Sequence, residues 1–165
     1  MDSAKLNDWL QVIGIFALVA SLIFVGLQMQ QSQEIARSQI QQARTDATVE
    51  TVVSTAENAF FVSAQAKFRA GQAESFTPEE HEALSQLALA LLYQMENARY
   101  QYDRGFLTED QWQRTLRTLK GMLAGNTPIP VRARFEASPQ TWTADFQTLV
   151  EELILEIDAG SQERL

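Results

Sequence analysis

Three observations predict an all-α fold: a charge-free run from Trp9 to Met29, apolar side chains at three- and four-residue steps thereafter, and no stretch with strand alternation. The expected architecture is an N-terminal transmembrane helix continuing into a long helix. A small antiparallel helical bundle is expected to pack on the distal half of that helix.

The first element is the apolar run, in which Ser21 is the only polar side chain between Val12 and Leu27. At ~1.5 Å per residue, the ~20 residues from Trp9 to Gln28 match a hydrocarbon core ~30 Å thick. A soluble core helix would carry a polar face every 3.6 residues, and this run has none. Asp2 and Asp8 offset Lys5, so the start lacks the basic region of a cleaved signal, and a retained anchor is expected. Trp9, Gln11 and Gln28 suit the two interfaces. Gly14, Ala17, Ser21 and Gly26 are small residues that would let neighbouring helices approach closely. Lys5 before the span is outnumbered by Arg37 and Arg44 after it, which predicts a bacterial inner-membrane protein with its C-terminal domain in the cytoplasm.

The second element is a glutamine-rich stretch that includes Gln28, Gln30, Gln31, Gln33, Gln39, Gln41 and Gln42. Neither Pro nor Gly interrupts the chain between Gly26 and Gly71, so one helix is expected to run from Trp9 to Ala70. A helix polar nearly all round must be solvated or must pair with copies of itself or another protein; strict heptads are lacking, so no coiled coil is expected. Further on, Val49, Val52, Val53, Ala56, Phe60, Ala64 and Phe68 fall on one stripe, expected to be core, with Gly71 as the stop.

The remaining helices are marked by caps. Thr77-Pro78-Glu79-Glu80 is a capping-box signature opening a helix to Arg104, with Gly105 ending it and Leu84, Leu87, Leu91, Met95, Ala98 and Tyr102 facing inward. Thr108 with Gln111 opens a helix carrying Trp112, Leu116, Leu119 and Leu123, which ends at Gly125. A short turn after Pro128 holds Val131 and Phe135. Ser138-Pro139 is expected to start the last helix, in which Trp142, Phe146, Val150 and Ile154 face inward before Gly160. The organisation is thus a flank (1–8), a transmembrane helix (9–28), a polar helical stalk (29–47), a bundle domain (48–160) and a tail (161–165).

The segments Gln28-Met29-Gln30-Gln31, Tyr93-Gln94-Met95-Glu96-Asn97, Tyr100-Gln101-Tyr102 and Arg104-Gly105-Phe106-Leu107, followed by Trp112, carry a resemblance. With them the chain resembles a widespread family of uncharacterised short bacterial single-pass membrane proteins. The resemblance covers most of the length and implies an anchored helical domain. It brings no catalytic residue and no substrate.

Composition excludes several classes of function. A formal charge of −8 argues against nucleic-acid binding, and the absence of cysteine removes disulfide frameworks and thiol chemistry. His81 is the only histidine, in an exposed opening turn, so the paired Glu-x-x-His ligands of a di-iron bundle cannot be assembled. There is no phosphate loop, nucleophile elbow or zinc motif. No catalytic, cofactor-binding or metal residue is therefore assigned. Glu151, Glu152, Glu156 and Asp158 are expected to form a solvated acidic face.

The densest polar cluster is Glu96, Asn97, Arg99, Tyr100, Asp103 and Arg104. Glu96 stands on an otherwise apolar row and is expected to be half-buried and paired with Arg99 or with an arginine of the segment Arg132 to Arg134. This cluster is either a structural network or a partner-binding site. The functional expectation is a non-enzymatic scaffold or accessory subunit, in contact with membrane lipid and acting as a homo-oligomer or within a larger membrane complex. The alternative is a homo-oligomeric pore lined by the span.

Overall fold

A computed structural model describes the backbone of residues 3–162 and the side chains of residues 7–160. Met1 and Asp2 of the predicted flank, and all but the backbone of Ser161 and Gln162 in the predicted tail, lie outside them. Among the described residues six α-helices follow in order: α1 Ser3–Glu57, α2 Ala59–Arg69, α3 Pro78–Asp103, α4 Glu109–Leu123, α5 Val131–Glu136 and α6 Ala144–Gln162. Single 3₁₀ turns occupy Ala73–Ser75 and Pro139–Thr141, and no strand occurs among the described residues. The chain divides into two compact units, Met1–Ala47 and Thr48–Leu165.

In the first unit, the apolar side chains of α1 from Trp9 to Leu27 are all exposed, and the helix is long and apolar enough to cross a membrane. The second unit is a packed bundle organised around α3, which α2, α4 and α5 each touch; α4 also contacts α5 and α6. Its main core joins Ala88 and Leu92 of α3, Leu119 and Leu123 of α4, Val131 and Phe135 of α5, and Phe146 and Val150 of α6. Trp142 lies at the centre of an aromatic group, with ring centroids 5.0 Å from Tyr93, 5.9 Å from Phe146 and 6.4 Å from Phe135. A second cluster holds Ala98, Leu107 and Trp112.

Both capping boxes form as the spacing predicts. Thr77 accepts from Glu80 N while Glu80 reaches back to Thr77 N, and Thr108 and Gln111 do the same at the start of α4. Gly71 (φ +72°) and Gly105 (φ +72°) end α2 and α3 in the left-handed region. In each case the next amide returns to a carbonyl five residues back, Gln72 to Lys67 and Phe106 to Gln101, both at 2.9 Å.

Four expectations are corrected. The helix does not run unbroken to Ala70; it breaks at Asn58, whose extended backbone (φ −81°, ψ 108°) and side chain cap α2 by accepting from Phe61 N at 3.0 Å. Just before the break, the Thr55 hydroxyl donates to the carbonyls of Thr51 and Val52, a bond that competes with the helix ladder and favours a bend.

The valine stripe is not core. Val49, Val52, Val53, Ala56 and Phe60 are exposed, and within the stripe only Ala64 is buried and Phe68 half-buried. The reason is which side of the helix end meets α3: Gln94 of α3 donates to the Thr51 hydroxyl at 2.9 Å, and Thr51 and Thr55 are the half-buried residues there.

Ser138-Pro139 opens a 3₁₀ turn, so the last helix begins six residues later, at Ala144, and continues through Gly160. Nor is the acidic end merely solvated. Asp158 forms a two-pronged pair with Arg132 (2.7 and 2.9 Å), and Glu156 pairs with Lys120.

Candidate functional site

The predicted polar cluster occupies the C-terminal third of α3, and its members take separate roles. Glu96 Oε1 accepts the backbone N–H of Thr143 at 2.8 Å, which fastens the start of α6 to α3. This replaces the expected pairing of Glu96 with an arginine. Arg99 instead pairs with Asp103 (3.0 Å), one turn along, and its guanidinium lies 5.6 Å from the Trp112 ring. The Arg104 guanidinium sits 5.2 Å over the exposed Tyr100 ring, and Asn97 is exposed. A shallow depression of about 220 Å³ beside the cluster is lined by Arg99, Asp145, Thr148, Leu149 and Glu152. Its single cation is already neutralised by Asp103, and its acids stand in the open. The six residues of the cluster therefore do not converge on one cavity.

Tyr102 extends the same helix end. Its ring stacks on Trp112 (5.1 Å, 14° between planes), and its hydroxyl donates to Glu109. That bond holds the Glu109 carboxyl below its ordinary range and raises the tyrosine, since the neutral phenol is the donor.

The most complete polar site was not singled out as such in the sequence. Glu80 is 2% exposed and fully engaged. Its Oε1 accepts from Ser63 Oγ at 2.6 Å, and its Oε2 accepts from Lys67 Nζ at 2.8 Å and Thr77 N at 2.7 Å. The lysine, the serine and the capping amide together hold the carboxyl at about 2. Three donors on a carboxylate this buried hold it ionised, and the contacts join α2 to α3. Ser63 and Lys67, four residues apart on α2, were the available signal; their partner lies on another helix.

The remaining candidates hold no converging chemistry. His81 is exposed, its ring edge-on to Phe76 at 5.5 Å. Among the described residues no group of three or more His, Cys, Asp or Glu side chains is arranged to hold a metal ion. Ala17 and Ser21 are exposed on α1, and a Cβ at Gly14 or Gly26 would meet open space. Comparison with protein-family profiles, with curated proteins and with solved structures finds no match.

Proposed function

We propose that this chain is a non-enzymatic single-pass membrane protein, a scaffold or accessory subunit that works by helical self-association or by joining a larger membrane assembly. The observation that carries the reading is α1: its apolar residues from Trp9 to Leu27 are exposed, and water tolerates no such surface on a free helix. Residues 9–28 cross a bacterial inner membrane, and the helical domain lies on the cytoplasmic side, in keeping with Arg37 and Arg44 beyond the span.

Glu80, Glu96, Arg99 and Arg132 are each engaged in fastening one element to another or to its own helix. The mass of the native particle in a mild detergent tests the reading. A particle heavier than one chain, or a partner captured by crosslinking in native membranes, is expected. A bare monomer with nothing crosslinked contradicts it.

A further inference from the structure

Counting along α1 in alternating steps of three and four from Gln28 gives a register that continues through Gln31, Ile35, Ser38, Gln42, Thr45, Val49 and Val52 to Ala56. This is the a/d spacing of a coiled coil. Six charged residues lie in the stretch from Gln28 through Glu57, and none falls on it. Every register position is exposed, whereas Ala36, Ile40, Arg44, Thr51 and Thr55, the half-buried residues of this stretch, all lie off it. Counted backwards, the same steps reach Phe24, Ser21, Ala17, Gly14 and Leu10.

We infer that this uncharged seam pairs α1, parallel and in register, with α1 of a second copy of the chain. The inference rests on the membrane reading above, because an anchor that inserts one way presents every copy in the same direction and at the same depth.

Three features favour a copy over another occupant. Each uncharged polar seam residue meets its own equivalent in a parallel pair, and Gln, Ser and Thr can both donate and accept there. Thr45 already satisfies its hydroxyl on the Gln41 carbonyl at 3.0 Å, so it enters the seam without an unpaired donor. Across such a pair, the flanking Glu34 lies opposite Gln39 and Gln41 opposite Asp46, so no like charges face one another. The β-branched Ile35, Val49 and Val52 supply apolar contact, and Val53 widens the exposed strip.

The chain lacks cysteine, so single cysteines in full-length protein in native membranes test the pairing directly. Under mild oxidation, Thr45→Cys, Val49→Cys and Val52→Cys are expected to give disulfide-linked dimers at least about ten times more efficiently than Glu50→Cys and Ser54→Cys, which lie off the seam. These positions are exposed, and circular dichroism confirms that each variant is folded. Equal linking at both sets, or silence at the seam, overturns the inference. Silence at the seam with a particle heavier than one chain leaves the assembly reading standing, whereas a monomer that binds no partner removes that reading as well.

Discussion

Glu80 gathers three donors on one carboxylate: Ser63 and Lys67 of α2, and the amide of Thr77 before α3. Because these donors lower its folded-state value to about 2, the stabilisation is fully present above the ordinary carboxylate range near 4.5 and is lost as the pH falls towards 2. Thermal melts from pH 7 to pH 2 are expected to show the native chain losing stability across that window, and Glu80→Gln, less stable at pH 7, losing correspondingly less. Identical pH profiles for the two proteins would contradict this. Phe146 has no exposed surface and lies in the core beside Trp142, so Phe146→Ala is expected to cost about 3–5 kcal/mol in urea titrations. Val52→Ala, by contrast, removes an exposed side chain and is expected to change the stability of the bundle by no more than about 0.5 kcal/mol.

At the scale of elements, what could be read from the sequence was what is encoded locally. Thr77 with Glu80 and Thr108 with Gln111 are three residues apart, and their bonds close within one turn, so spacing alone identified both helix starts. Gly71, Gly105 and Gly125 marked three stops, and each adopts positive φ. Gly105→Ala would place a Cβ in the left-handed region and is expected to destabilise by about 1 kcal/mol, although no neighbouring atom obstructs it. Thr108→Ala is expected to cost about 1 kcal/mol through the lost cap, measured by the same titration.

Non-local choices were not legible. Periodicity identified the apolar face of residues 49–56 but not the element that would cover it, and the helix turned Thr51 to Gln94 instead. The break at Asn58 carries neither Pro nor Gly, and depends on an asparagine cap with threonine back-bonding just before it. In the candidate cluster, the residues were legible as a group, yet Glu96 found its partner 47 positions away at the start of α6.

For the whole molecule, two kinds of surface coexist in one chain. Thr48–Leu165 buries large aromatic and aliphatic side chains in a bundle of its own, whereas Met1–Ala47 carries an apolar run that buries none of its side chains. On the membrane reading proposed above, the one faces a bilayer and the other water. The pairing we infer for the α1 seam would bring copies together without any group from the bundle core. Alkaline carbonate washing of membranes that contain the intact chain tests this division most directly. The chain is expected to stay in the sedimented membranes and to leave only with detergent; recovery of intact chain in the carbonate supernatant would contradict the anchor and every conclusion built on it.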